Sequence, residues 1–143
     1  MTSHAAATAA TAPNKGFYHV ESYITAAKPT ATCSGFGIAV GPAPSGSLYY
    51  PGPSATGAIL RYAGTKSATI TAESFPKTPA AGATSWSGTL MQGTEPNLTF
   101  PIAFRAKLAP LDAQSFTIVA TLTVTVGANK CTITQNIALT QTG

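Results

Sequence analysis

LTFPIAFRAKL at 98–108, QSFTIVATLTVTV at 114–126 and KCTITQNIALT at 130–140 are the segments that decide the fold of this chain. In the second segment every other residue from Phe116 to Val126 is apolar, and most of the residues between them are threonines. Side chains of a β-strand point alternately to its two faces, so a period of two predicts strands with one buried face. The three segments therefore predict three long strands of an antiparallel sheet.

Strand-like runs recur toward the amino end, separated by turns rich in Gly and Pro such as PAPSG at 42–46 and PGPS at 51–54. No segment has the periodicity of an amphipathic helix, and only Ala5–Ala12 is rich enough in Ala to form one. About eight to nine strands predict an all-β fold, an antiparallel β-sandwich of the immunoglobulin-like or jelly-roll-like kind, with a closed β-barrel as the alternative. The predicted strands before the three segments above are 17–25, 32–40, 46–50, 57–63, 67–73 and 84–91.

The chain divides into two zones by composition. Residues 1–16 are almost entirely Ala, Thr and other small residues and end with Pro13 and Gly16, which predicts a flexible N-terminal extension. Residues 17–143 then form one β-sandwich domain, since 143 residues leave no room for two well-built domains.

The two cysteines are Cys33 and Cys131, which are 98 positions apart. This spacing excludes a CxxC redox or zinc pair, and a disulfide between an early and a late strand is the natural use of the two residues. A loop of this length would stabilise the fold by about 4–5 kcal/mol before any strain. The alternative is a pair of buried free thiols. Cys131 lies on the apolar face of its strand, whereas Cys33 reaches the core only if a bulge at Gly35–Gly37 turns it inward.

Charge is scarce in this sequence. Charged residues make up 8% of the chain, against about 25% in an average soluble domain, and the net charge is +4. The basic residues are scattered rather than clustered, so nucleic-acid binding is not expected, and no apolar run is long enough to span a membrane. The Thr-, Ser- and Gly-rich composition indicates a secreted or cell-surface protein, from which a signal peptide has been removed.

Few residues of this chain could carry catalytic chemistry. Histidine and carboxylate side chains are limited to His4, His19, Glu21, Glu73, Glu95 and Asp112. No pattern unites them into a nucleophile triad or a pair of facing carboxylates, and the acids are expected to be isolated on the surface. His19 and Glu21 could supply two ligands from one strand face, but a third is not apparent. The sequence therefore predicts no enzyme, no metal and no cofactor.

Aromatic residues near turns form the first candidate site. Tyr49, Tyr50, Tyr62 and Trp86 have an apolar face and a polar tip, which suits them to stack on sugar rings or to anchor an interface. The simpler interpretation is that Trp86 fills the core and one of the tyrosines covers its edge.

Threonines on the outward faces of the last two strands form the second candidate site. They are expected to make a flat surface without charge that could contact other copies of the chain. Good strand propensity alone also explains them. The residues of this predicted assembly face are Thr121, Thr123, Thr125, Thr132 and Thr134.

The sequence favours a structural role over a chemical one. Low charge, a detachable tail and a long-range disulfide predict an extracellular protein that self-assembles as a subunit of a fibre, pilus-like filament or surface layer. Its partners would be copies of itself. The alternative is a secreted adhesion module that binds a glycan or another cell-surface ligand through the exposed aromatics.

Overall fold

The computed structural model describes residues 13–43, 45–63, 70–80, 82–95 and 97–143. Within these ranges the chain forms nine strands and one short helix, and the fold is all-β. The elements are β1 (Gly16–Lys28), α1 (Thr30–Gly35), β2 (Gly41–Pro42), β3 (Gly46–Tyr50), β4 (Ala58–Ala63), β5 (Ile70–Phe75), β6 (Ser85–Thr94), β7 (Asn97–Asp112), β8 (Ser115–Val126) and β9 (Asn129–Gln141).

The strands form a closed antiparallel barrel. From β3 onward each strand pairs with the next one along the chain, and β1 pairs with both β3 and β9. The β1–β9 ladder runs from Tyr18 opposite Gln141 to Lys28 opposite Thr132 and closes a barrel of eight strands, while the short β2 pairs with β1 beside β3. The predicted β-sandwich is not confirmed. The structure instead has the closed barrel, which is the alternative prediction. A single ladder between the first and last strands makes this difference, because it joins the two edges that a sandwich would leave apart.

The alternation of β7, β8 and β9 defines the inside of the barrel. Phe104 lies opposite Leu122, and Leu122 lies opposite Ile133, so the apolar faces of the three strands coincide. All three residues are buried. The threonines between them point outward, as the period of two predicts.

The barrel has two unlike halves. We call the lower end the one at which β1 begins and the β7–β8 turn lies, and the upper end the one at which β1 ends and the β8–β9 turn lies. The lower half is filled by aromatic rings in tilted or edge-on contact, with centroids 4.9–6.4 Å apart. These rings belong to Tyr18, Tyr50, Phe75, Trp86, Phe104 and Phe116.

The predicted strand at 32–40 is wrong. Residues Thr30–Gly35 form α1, and Gly37 has a φ of 77°, which is the left-handed region and cannot continue a strand. The apolar residues at alternate positions beyond α1 resemble a strand only in pattern. The predicted disulfide is confirmed: Cys33 in α1 is bonded to Cys131 in β9, and both residues are fully buried. The helix, rather than a bulge, turns Cys33 inward.

The chain is fixed to the barrel slightly before its first strand. The backbone N–H of Asn14 donates to the carbonyl of Ala113 at 2.8 Å, and its side-chain amide donates to Gln141 Oε1 at 3.0 Å. Residues 1–12 of the predicted flexible extension lie outside the described residues. In the part of the chain that the structure describes, no helix is long and apolar enough to cross a membrane.

Candidate functional site

The upper half of the barrel encloses a cavity of about 530 Å³. Its wall is formed by inward-facing residues of β1 and of β4 to β9, and by Phe36 and Ile38 of the segment after α1. Aliphatic side chains make up most of the wall, including Leu60, Ile102 and Leu122. An eight-stranded barrel is just wide enough for side chains to fill it or for one small ligand to fit. In the lower half aromatic rings fill this space, whereas the shorter residues of the upper half leave it open.

A carboxyl group lies in this apolar wall. Glu73 of β5 is only 7% exposed, and its strand neighbours on the two sides are Leu60 of β4 and Gln92 of β6. Gln92 Nε2 donates to Glu73 Oε2 at 3.0 Å, and the Tyr62 hydroxyl donates to the same oxygen at 3.3 Å. Gln92 Nε2 also lies 3.4 Å from the Tyr62 hydroxyl oxygen. The three residues, which we call the buried trio, form a connected polar group on one wall of the cavity.

The second carboxyl oxygen of Glu73, Oε1, accepts no hydrogen bond from any described residue. Because Glu73 lines the cavity, this oxygen is available to a molecule inside it.

Burial sets the protonation of the trio. Removal from water raises the pKa of Glu73 well above its ordinary value, and the hydrogen bonds from Gln92 and Tyr62 only partly oppose this effect. Burial, together with the neighbouring Glu73, raises the pKa of Tyr62 as well, so its hydroxyl keeps its proton as a donor. The nearest cation on β4, Arg61, points to the outer face and pairs with Glu95 at 2.7 Å. It therefore does not neutralise Glu73.

Two more polar side chains lie across the cavity from the trio. Ser22 of β1 and Gln135 of β9 line the cavity from the opposite side of the barrel, since β9 is four strands away from β5 in either direction. Gln135 occupies an inward position that is otherwise apolar in β9, between the buried Ile133 and Ile137. A molecule in the cavity would thus meet apolar side chains around it and polar groups at two opposite points.

The four predicted aromatic site residues do not form one surface. Tyr62 lies in the cavity wall, whereas Tyr50 is buried against Phe116 in the lower half. Trp86 packs against lower-half rings, and its indole nitrogen is buried without a hydrogen-bond partner among the described residues. Tyr49 faces outward beside the exposed Phe17, with ring centroids 4.9 Å apart. The interpretation of Trp86 as a core residue agrees with this packing.

The threonines of the predicted assembly face lie side by side on the outer face of β8 and β9. Thr121 lies opposite Thr134 and Thr123 opposite Thr132, while Thr125 lies opposite Lys130. The expectation that this surface carries no charge is wrong. Arg105 is the neighbour of Thr121 on β7, and Lys28 is the neighbour of Thr132 on β1. These cations lie on β7 and β1, and the sequence alone does not predict that these two strands pair with β8 and β9.

The remaining titratable residues lie apart from the cavity. His19 and Glu21 are exposed on the outer face and contact each other at 2.6 Å. Asp112 Oδ1 accepts hydrogen bonds from the Gln114 backbone and the Ser115 hydroxyl in the β7–β8 turn, which lower its pKa. Among the described residues no three His, Cys, Asp or Glu side chains are grouped so that they could hold a metal ion. His4 lies outside the described residues.

Comparison with protein-family models, with curated proteins and with solved structures finds no match to this chain. The cavity and its polar groups are therefore the basis for a function.

The sequence analysis misses two of the three residues of the trio. Glu73 is expected to be an isolated surface acid, yet it shares the inward side of β5 with Phe75. Gln92 lies one residue beyond the predicted end of its strand at 91, and β6 continues to Thr94. Only Gln92 leaves a signal in the sequence, because it continues the side of β6 that carries Trp86 and Leu90, where a polar residue is unusual. Glu73 alternates with Thr71 and Thr69 and so falls on the polar side of its predicted strand.

Proposed function

We propose that this protein binds a small, mainly apolar molecule inside its barrel, with the buried trio contacting the polar group of that molecule. The observation that carries the proposal is Glu73, a nearly buried residue that lines a cavity of about 530 Å³ and whose Oε1 accepts no hydrogen bond from the described residues. Ligand sites are typically cavities of about 300–1,000 Å³ with apolar walls and a few convergent polar groups. The upper half of this barrel has each of these properties.

Energetics supports a binding role over a purely structural one. A carboxyl group buried beside aliphatic side chains destabilises the folded state unless it is fully hydrogen-bonded. Here both internal donors contact Oε2, and Oε1 gains nothing from the described residues. An aliphatic residue at position 73 would destabilise the folded state less in this apolar wall. A ligand that hydrogen-bonds to Oε1 would explain why a carboxyl group is present there.

This proposal places a binding function inside the molecule rather than on exposed aromatics. Of the predicted aromatic residues it retains Tyr62 alone. The Cys33–Cys131 disulfide is compatible with an extracellular protein, and we include that location in the proposal. No catalytic step is required of the trio for binding.

Filling the cavity should abolish binding. We expect the neutral fluorophore N-phenyl-1-naphthylamine to bind the wild-type protein, and Val124→Trp to weaken that binding by about tenfold or more, equivalent to about 1.4 kcal/mol. Val124 is buried in the cavity wall, and the larger indole would occupy ligand space. The measurement is the rise in probe fluorescence on titration with protein.

Val119→Trp is the matched control for this test. Val119 lies on the same strand but faces outward and is 44% exposed, so the same substitution there leaves the cavity unchanged. Denaturation of both variants establishes that each is folded. Equal binding by the two variants, or equal loss in both, would contradict a site inside the barrel.

Self-assembly is a second proposal, supported by the paired threonines on the outer face. Two pairs of threonines, Thr121 beside Thr134 and Thr123 beside Thr132, form a regular, partly exposed array on the outer face. Against it, closure by β1 and β9 removes the free sheet edges through which strands associate. Sedimentation velocity over a range of concentrations tests it. Larger species that Thr123→Lys disperses would support it, and a monomer throughout would contradict it.

A further inference from the structure

Glu73 has no counter-charge in the cavity among the residues that the structure describes. The groups facing it from the adjacent strands are the Tyr62 hydroxyl of β4 and the Gln92 amide of β6, and both are neutral. Ser22 and Gln135 on the opposite wall are neutral as well. Among the described residues, therefore, no cation lines the space into which Glu73 Oε1 opens.

The charged groups on the strands around Glu73 lie outside the barrel. Arg61 on β4 is paired with Glu95, which follows β6. On β7, Arg105 and Lys107 occupy exposed outward positions, alternating with the buried Phe104, Ala106 and Leu108. Their charges are separated from Glu73 by the sheet itself. Within the described ranges, an ionised Glu73 would therefore be compensated by hydrogen bonds to one of its oxygens.

The geometry of those hydrogen bonds leaves room for one more partner. Tyr62 and Gln92 both contact Oε2, at 3.3 and 3.0 Å, and no described residue donates to Oε1 of this cavity-lining carboxyl group. An ammonium group of a bound molecule placed there would complete the set of partners and supply the missing charge. A charge-assisted hydrogen bond of this kind is roughly twice as strong as a neutral one.

We infer that the ligand is an apolar molecule carrying one ammonium group, and that this group pairs with Glu73 Oε1. The inference rests on the proposed binding function and specifies the chemistry of the ligand. Aliphatic walls receive the apolar part, and the single carboxyl group receives the charge. An anion of the same shape should bind more weakly, because the described residues place no positive charge in the cavity to pair with it.

Proton release accompanies this pairing. In the free protein burial raises the pKa of Glu73 and so favours its protonated form, whereas in the complex the ammonium would stabilise its carboxylate form. The Glu73 proton passes to the buffer. The ligand keeps its own proton, because the pKa of an alkylammonium group such as that of Lys is about 10.4. Each complex formed thus releases up to about one proton, and affinity increases as pH rises toward the range in which Glu73 ionises.

The test compares three probes of one shape in isothermal titration calorimetry. They are 1-naphthylmethylamine, its neutral isostere 1-naphthalenemethanol and the anion 1-naphthoate. We expect the wild-type protein to bind the amine about tenfold or more tightly than the alcohol, and the anion most weakly. Repeating the amine titration in buffers of different ionisation enthalpy gives the number of protons released.

Glu73→Gln is the diagnostic variant, because it keeps an oxygen that Gln92 and Tyr62 can contact but removes the titrating group. It should lose the preference for the amine and its proton release while still binding the alcohol, which also shows that the variant is folded. Equal affinity for amine and alcohol without proton release would overturn the ammonium inference and leave the cavity as a binding site. Tightest binding of the anion would overturn it as well. Failure of all three probes, together with N-phenyl-1-naphthylamine, would count against the proposed function itself.

Discussion

The free energy of unfolding of the Glu73→Gln variant should fall less with rising pH than that of the wild-type protein. We expect the wild-type free energy of unfolding to fall by about 1.4 kcal/mol per pH unit, relative to the variant, as pH rises above the ordinary Glu value of 4.5. The folded state holds Glu73 at a raised pKa, so its protonation stabilises the folded state fully below that ordinary value. This contribution is lost as pH rises through the pKa of the folded state. Above that pKa the difference between the two proteins becomes constant.

The other groups whose pKa values are shifted titrate outside the pH range in which Glu73 affects stability. The pKa of Asp112 is lowered from 3.8, so its contribution is lost only in more acidic solution. The pKa values of Tyr18, Tyr50 and Tyr62 are raised from 10.0, so these residues act only in more alkaline solution. Urea denaturation of both proteins at several pH values between these limits therefore isolates Glu73. Parallel stability curves for the two proteins would show that Glu73 is not buried in this cavity.

Removal of the disulfide should destabilise the protein by about 2–5 kcal/mol. Cys33 and Cys131 are separated by 98 positions, so the bond restricts the unfolded chain over most of its length. It also ties α1 to β9 and thereby holds the following segment, with Phe36 and Ile38, against the upper end of the barrel. The double variant Cys33→Ala with Cys131→Ala removes the bond without placing new polar atoms in the core.

Guanidinium denaturation with and without a thiol reductant measures this effect. The wild-type protein should lose stability when reduced, whereas the double alanine variant should be unaffected by reductant. A second readout is binding of N-phenyl-1-naphthylamine, which should weaken in the variant because the wall formed by Phe36 and Ile38 is no longer tethered. A variant within about 0.5 kcal/mol of the wild type, the range of an ordinary surface substitution, would contradict this role.

Local pattern predicts those parts of the fold that depend on local pairing. The strands β7, β8 and β9 follow from their alternation because each hairpin joins neighbouring segments, and the outward position of Thr121 and Thr123 follows with them. The choice between sandwich and barrel depends instead on β1 pairing with β9, from Tyr18 opposite Gln141 onward. No local pattern encodes that ladder, since either edge strand would look the same in an open sheet.

The candidate binding site is harder to predict, because its parts are distant in the sequence. Tyr62, Glu73 and Gln92 each look unremarkable in isolation, and they meet only through the registers of β4, β5 and β6. A polar residue on the apolar side of a strand is the local trace of such a site, and it is visible at Gln92, two residues after Leu90. It is absent at Glu73, which follows Thr71 on the polar side of its predicted strand. The helix at Cys33 left no trace of this kind, because alternating apolar residues beyond it resembled a strand.

Methyl NMR tests the central claim, that the interior of the barrel is a ligand site, most directly. Titration of the isotope-labelled protein with N-phenyl-1-naphthylamine should shift the methyl signals of Leu60, Ile102, Leu122 and Ile133, whose side chains line the cavity. The exposed methyl groups of Leu111 and Val119 should stay unchanged. Shifts confined to exposed methyl groups, or no shifts at a saturating concentration of the probe, would contradict the account.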